Sequence, residues 1–444
     1  MNQVKNSSIS SLKSFITLWL GQSISQFGSS MTGFALIVWV YQTQGTVMST
    51  ALLSVFSYVP CIFVSFFAGA IIDRLHKRSI LLVCDSIAAA CTLCAFLLIL
   101  SGNIQVWHLY IINAVSGVMN AFQMPASKVS ITLIVPGEHY ARASGLRSLS
   151  DSLISVLNPV IATFLMSFWG INIIFVIDLS TFVIAFLSLV LFVKIPSTPV
   201  PEVKCPWHKM LIRQSREGLN YLKHNKGLLY LMLFMAGINF IAAITFFNIL
   251  PAMILSRSGN NERILGIVSA AIGLGNVAGS LAVTARPPKN RIKTIFTAAA
   301  LSFLLCDTFI GTGRNVLVWV MAAFIGNIPI PILCAAESSF LHKEIPVEIQ
   351  GRIFSLRGTF QFVTIPCGYL AGGFLADKFF EPLMSSSFGI QYLSKLVGGG
   401  KGSGMALMFV ITAVLGVFLS LFAYGNKEIK GLEKGLSKVK PKPD

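Results

Sequence analysis

A chain of 444 residues that is 54% hydrophobic and 11% charged, with a mean hydropathy of +0.75, carries too much apolar surface for water. Lipid must be the solvent of most of it, which excludes a water-soluble globular domain. The net charge of +17 would suit a nucleic-acid binder, but 28 of the 34 Lys and Arg lie in alternate connections between apolar runs. That bias marks a cytoplasmic face, so the charge reads as topology and contact with anionic lipid headgroups, with no nucleic-acid partner.

A spanning helix needs roughly 20 mainly apolar residues. Twelve runs qualify: Phe15–Tyr41, Val47–Ile72, Ile80–Leu100, Trp107–Ser127, Leu146–Trp169, Ile171–Val193, Leu228–Leu255, Leu265–Ala285, Ile292–Gly311, Val316–Phe340, Ile353–Ala376 and Gly404–Tyr424. The runs are continuous and not alternating, so the expected fold is an all-α membrane protein of twelve transmembrane helices in two six-helix, pseudo-symmetric bundles. The first run is too long for a signal peptide and is read as a span. An even count with the positive side inward places both termini in the cytoplasm of a multi-pass cell (inner) membrane protein. The expected divisions are an N-terminal bundle over 1–193, a linker over 194–226, a C-terminal bundle over 227–425 and a basic tail over 426–444.

The end of run two carries Gly69-Ala70-Ile71-Ile72-Asp73-Arg74-Leu75-His76-Lys77-Arg78. A small residue lets helices approach, an acid pairs with a neighbouring helix N-terminus, and a basic cluster pairs across a bundle interface. Gly69, Asp73, Arg74, Lys77 and Arg78 are therefore expected to gate the cytoplasmic mouth, unless they are an ordinary positive-inside loop. Asp85, Asp151, Glu337, Arg352 and Arg357, with Lys128, fall within about two turns of the cytoplasmic ends of their runs and are read as gate partners. Cys91 and Cys94 stand one turn apart inside run three and read as packing residues, not a redox or metal pair. None of the eight cysteines falls in an outer connection, so no structural disulfide is expected.

Two carboxyls lie deeper. Asp178 is about eight residues from the outer end of run six and Asp307 about fifteen from the inner end of run nine, which makes both candidates to load and release a proton. The alternative for each is a structural carboxyl bonded to a Ser or Thr of a neighbouring helix. Polar and aromatic residues of runs one, seven, ten and eleven, Gln22, Gln26, Asn239, Phe240, Phe247, Asn248, Asn327 and Gln361, are the candidate lining for cargo; apolar walls with a few amides suit an amphiphile of a few hundred daltons. Pro329 and Pro331 are expected to kink run ten.

The linker is first Pro-rich, then interleaves Trp207, Met210, Leu211, Leu219 and Leu222 with Lys209, Arg213, Arg216 and Lys223, as a stretch lying on a membrane surface would. Either side of it the halves echo each other. Val135-Pro136-Gly137-Glu138 with Gly145-Leu146-Arg147 has its counterpart in Ile345-Pro346-Val347-Glu348 with Gly351-Arg352 and Leu356-Arg357, at an offset of about 210 residues that Pro159 and Pro366 repeat. Parallel six-helix repeats are an architecture of alternating-access transporters, so secondary active transport is expected rather than a channel. The six histidines show no ligand spacing and no phosphate-cradling loop is present, so no enzyme activity, cofactor or metal is expected.

The Gly-x-x-x-Asp-Arg-x-x-Lys-Arg phrase of the 2/3 connection, the Pro-x-x-x-x-Gly-Arg-x-x-Ser-Leu phrase before run eleven and the 6+6 layout resemble the major facilitator superfamily. Gly21-Gln22-Ser23-Ile24-Ser25-Gln26-Phe27-Gly28, Met124-Pro125-Ala126 and the positions of Asp85 and Asp178 are similar to its macrolide-efflux and enterobactin-exporter branch of drug:proton antiporters. The resemblance implies efflux of an amphiphilic, macrolide-like small molecule in exchange for protons, by a protein that works as a monomer among membrane lipids. The alternative is a same-fold transporter of a physiological cargo such as a siderophore, lipid or peptide; a sensor or channel is a third reading. This chain departs from the pattern at His76, where the motif has Gly, in the 8/9 connection, which lacks the acid, and in run four, where Leu109–Ser127 lacks the Arg often found in proton antiporters.

Overall fold

The computed structural model describes residues 2–135, 140–193, 195 and 217–433. Among them every regular element is a helix. With no water to bond the backbone, each segment must satisfy its own N–H and C=O groups, and the helix does so within one segment. The helices fall into two compact units, one of Met1–Gly45 with Leu52–Glu202, the other of Thr46–Ala51 with Val203–Asp444.

The first unit holds α1 (Asn2–Gln44), α2 (Val47–Arg74), α3 (Lys77–Leu100), α4 (Val106–Ile134), α5 (Tyr140–Trp169) and α6 (Asn172–Phe192). Helix α1 packs mainly on α6 and then on α5, while α3 packs on α4 and α6. Two apolar clusters fill the spaces between them: one is built on Phe15, Ile72, Leu81 and Leu189, the other on Leu36, Val40, Leu109 and Phe175. Gly117 of α4 lies against the Ser57 carbonyl of α2, where a β-carbon would stand 2.1 Å from the oxygen.

In the second unit the apolar runs are more often interrupted. Run seven is two helices, α7 (Lys226–Ile244) and α8 (Ile249–Arg257). Run eight is α9 (Glu262–Ala285). Run nine is α10 (Arg291–Ser302), a wide π turn over Phe303–Asp307, and α11 (Thr308–Thr312). Run ten divides into α12 (Val316–Asn327) and α13 (Pro329–Glu344), the break falling where Pro329 has no N–H to continue the ladder. Run eleven is α14 (Val347–Leu375), followed by a π turn over Ala376–Phe380, α15 (Glu381–Ser385), a π turn over Gly389–Leu393 and α16 (Ser394–Val397). Run twelve is α17 (Ser403–Gly425), and α18 (Lys427–Glu433) follows it.

Asparagines start three of these runs. The side chain of Asn261 accepts from the N–H groups of Arg263 and Ile264, that of Asn290 from Lys293, and that of Asn315 from Val318, each satisfying donors the helix cannot reach itself. At the other end of α9, Gly275 and Gly279 form a small-residue stripe on which α12 lies: a β-carbon would stand 2.3 Å from the Phe324 carbonyl oxygen and 2.2 Å from that of Ile328. The first turn of α2, which belongs to the second unit, is capped by Asp377, whose carboxylate accepts from the N–H groups of Val47 (3.0 Å) and Met48 (2.8 Å).

Ten of the twelve expected runs are apolar enough to cross a membrane. The other two are helices of sufficient length, α1 with 43 residues and α4 with 29. Polar residues dilute them, among others Gln22, Ser23, Ser25, Gln26, Ser29 and Thr32 in α1 and Asn113, Ser116 and Gln123 in α4. Where those side chains go is the starting point for the site.

Candidate functional site

Helix α1 is the polar spine of the first unit. Reading along it, Gln22 donates to Asp85 of α3 at 2.9 Å, and Gln123 of α4 donates to the other oxygen of the same carboxylate. Gln123 also reaches the Gln22 amide oxygen at 3.3 Å. Ser23 donates to Ser150 of α5 at 3.1 Å, and Gln26 to Asp151 of α5 at 3.5 Å. Within the next two turns, Ser29 and Thr32 both donate to Asp178 of α6. The polar groups that lower the hydropathy of α1 are thus spent on four neighbouring helices, which a lipid-facing helix could not offer.

Asp178 is buried and held by three hydroxyls: Ser29 at 3.0 Å on Oδ1, Thr32 at 2.8 Å and Thr92 of α3 at 3.0 Å on Oδ2. Gly28 makes room for it. A β-carbon there would stand 2.2 Å from the Thr181 hydroxyl and 3.1 Å from Asp178 Oδ1.

The second unit contains a counterpart. Asp307, buried at the end of the π turn in run nine, accepts from Thr412 of α17 at 3.0 Å, and Thr412 lies 3.1 Å from the hydroxyl of Thr245, just past α7. Runs one, three and six of the first unit correspond to runs seven, nine and twelve of the second. Thr32 pairs with Thr245 and Thr92 with Asp307 at the repeat offset of about 210 residues; Asp178 pairs with Thr412 at about 230, the excess lying in the longer 11/12 connection. The same three helices are therefore joined by the same polar node in both units, with acid and hydroxyl exchanged between two of its walls. A π turn is the sort of irregularity that accompanies functional positions, and here it sits on the acid.

The other charged positions fall into separate groups. Arg78 donates to the carbonyls of Val190 (2.6 Å) and Leu189 (3.2 Å), near the C-terminus of α6, where a cation complements the helix dipole. Lys77 is buried. The side chains of Gly69, Asp73 and Arg74 lie outside the described residues, as does most of the linker stretch from Trp207 onward. Glu337 of α13 is buried and receives Arg357 of α14 at 2.8 Å; Arg352 pairs with Glu217 at 2.7 Å, half-exposed and so worth little. Removing the cation alone leaves Glu337 uncompensated, so Arg357→Met is expected to destabilise by about 3–5 kcal/mol, with Glu337→Gln in the same chain restoring most of it. Melting of the two single variants and the double in detergent checks this; an unshifted Arg357→Met would remove the pair from the stability account.

Of the candidate cargo residues, Asn239 and Asn327 donate to carbonyls one turn back on their own helices, and Asn248 donates to the Tyr369 carbonyl at 3.2 Å. Phe247 is 46% exposed, and Phe240 and Gln361 are part-buried. Sequence reasoning did not single out Gln123, Ser29, Thr32, Thr92 and Thr412. For Thr32, Thr92 and Thr412 the signal lies in the repeat, once hydroxyls are allowed to align with acids; Ser29 and Gln123 have no such counterpart.

The profile of the Major Facilitator Superfamily matches residues 18–368. The chain belongs to that superfamily. It is a multi-pass membrane transporter, and transporters of the superfamily handle small molecules. Macrolide efflux protein A of Streptococcus pyogenes is 24% identical to it over 371 residues, 82% of this chain and 89% of the relative. Among solved structures, a bacterial homologue of the human lysosomal transporter Spinster, in an inward-facing and unoccupied conformation, superposes with a TM-score of 0.65 at 14% identity, covering 98% of this chain and 99% of the other. A D-xylose–proton symporter gives 0.63 at 13%, covering 96% and 99%. At these identities the two structures speak for the superfamily fold alone.

Proposed function

We propose that this member of the superfamily exports amphiphilic small molecules, macrolide-like drugs among them, across the cell membrane by proton antiport and alternating access, as a monomer with both termini in the cytoplasm. The observation that carries the reading is the likeness to a macrolide efflux protein along most of both chains. In this reading Asp178 and Asp307 carry the protons. Gly69, Asp73, Arg74, Lys77 and Arg78 form the cytoplasmic gate, served by Asp85, Asp151, Glu337, Arg352 and Arg357. The cargo meets Gln22, Gln26, Asn239, Phe240, Phe247, Asn248, Asn327 and Gln361, and the amide clamp of Gln22 and Gln123 on Asp85 joins gate and cargo residues in one node. The burial of these carboxyls, one in each unit, supports proton coupling, because each is an ionisable group kept at a cost within a span, whereas their bonds to Ser and Thr hydroxyls suit the structural alternative.

Expression in a pump-deficient host is expected to raise tolerance to macrolides, and a protonophore to abolish the gain. Unchanged tolerance to every compound in an amphiphile panel would replace the drug by a physiological cargo. A gain that survives the protonophore would remove proton coupling.

A further inference from the structure

The connection between runs eleven and twelve is a built surface. Glu381 accepts from the N–H groups of Met405 (3.0 Å) and Gly402 (3.3 Å), fastening α15 to the start of α17. Arg257, at the end of α8, donates to the Val397 carbonyl and, at 3.2 Å, to that of Gly313; Arg314 donates to Lys395 at 2.7 Å and Ser394 at 3.4 Å. Two guanidiniums thus hold the carbonyls of Ser394, Lys395 and Val397 along α16. The return to α17 runs through Gly398 and Gly402, with φ of +83° and +87°, values that favour glycine; a β-carbon on Gly398 would also stand 2.8 Å from Arg257 Nη2. Gly389 lets the segment press down on the Leu383 carbonyl, and Met384, Gly389 and Val397 are buried beneath it.

Away from these contacts the exposed side chains are mainly apolar, Gln391 and Lys395 excepted. Phe388, Ile390, Tyr392 and Leu396 are 48–62% exposed, with the Phe388 and Tyr392 rings 5.3 Å apart, and the exposed Lys395 adjoins Leu396 in the chain. We propose that this face, Phe388, Ile390, Tyr392 and Leu396 flanked by Lys395, docks into the headgroup zone of an anionic phospholipid bilayer, on the side away from the basic connections. Two observations choose lipid over a protein partner. The segment is joined directly at both ends to spanning helices, so it stands at the height of the membrane surface. Amphipathic rings with a neighbouring lysine are the composition of that zone. The Arg257, Arg314 and Glu381 bracket also holds the face in place before it meets anything, so little ordering entropy opposes docking.

The test places an environment-sensitive thiol label at Ile390→Cys and, as a solvent control, at Lys401→Cys, in the full-length chain reconstituted into vesicles with and without phosphatidylglycerol. No native cysteine lies in this connection, so labelled unsubstituted protein supplies the background. Spin-labelled lipid with a shallow nitroxide is expected to quench the 390 label about threefold more than aqueous iodide does, and more strongly with phosphatidylglycerol present, while the 401 label shows the reverse preference. Iodide quenching at 390 equal to that at 401 would overturn the proposal. So would lipid quenching at 390 that disappears when the protein is diluted to one copy per vesicle, which would assign the face to a second copy of the chain. The readout needs no transport activity, so it stands or falls apart from the proposed cargo.

Discussion

Asp178→Asn and Asp307→Asn are each expected to reduce proton-driven export in vesicles to the empty-vesicle baseline while cargo still binds. The substitution suits the question because of what surrounds Asp178. Ser29, Thr32 and Thr92 donate to its two oxygens. An asparagine keeps one acceptor and offers donors where the other oxygen was, so the hydroxyls can turn and remain bonded. A structural carboxyl is therefore nearly replaced by its amide, whereas a proton carrier is not. Asp178→Ala is the contrasting variant. It leaves three hydroxyls without their acceptor, of which that of the buried Thr32 costs about 1–3 kcal/mol if left unsatisfied, and its failure would say nothing about protons. The decisive comparison is uphill export against binding and downhill exchange. If both Asn variants sustain gradient-driven export at the unsubstituted rate, the two carboxyls are packing devices and the proton path lies elsewhere.

The second large effect is expected at the glycine stripe of α9. In Gly275→Val and Gly279→Val the added β-carbons point at backbone carbonyl oxygens of Phe324 and Ile328, 2.3 and 2.2 Å away. A clash with a side chain can be relieved by a rotamer change; these require α9 and α12 to separate along their length. Overpacking of this sort costs typically 1–3 kcal/mol, so the melting temperature in detergent should fall by roughly 5–10 °C for each variant. Gly33→Ala is the control, since its β-carbon would meet nothing within 4 Å. Valine variants that melt with the control would show that the close approach contributes nothing to stability.

Much of the architecture was legible because hydropathy and charge bias act along the whole chain. The runs, their order and the repeat of Pro159 in Pro366 needed no contact information. Local breaks were less visible. Pro329 announced the division of run ten; the break of run seven at Thr245-Phe246-Phe247-Asn248 had a comparable signal in Pro251, which has no N–H for the Phe247 carbonyl, but the unbroken apolar stretch was read as one helix. The π turn at Phe303–Asp307 had no signal at all. Asp178 was recognised as deep and ionisable from its place in run six; its three hydroxyl partners come from helices 146 and 86 residues away, a distance at which one sequence carries no pairing information. Asp85 was read by its nearness to the cytoplasmic end, and its bonds to Gln22 and Gln123 appear only once α1, α3 and α4 are side by side. The surface of the 11/12 connection was within reach, since Phe388, Tyr392, Lys395 and Leu396 follow helical spacing, but the intervening serines and glycines disguised it as a loop.

The exchange of acid and hydroxyl between the two nodes also bears on how such a chain can change. If both halves descend from one six-helix ancestor, the carboxyl has at some point moved between the wall now holding Thr92 and that holding Asp178. No single substitution makes that move. Every path passes through a unit with two facing acids or with none, so the intermediate either held a pair of carboxyls sharing one pocket or relied on its sister half alone. Two halves with one acid each allow either route, because the unaltered half keeps its buried carboxyl while its partner is rebuilt.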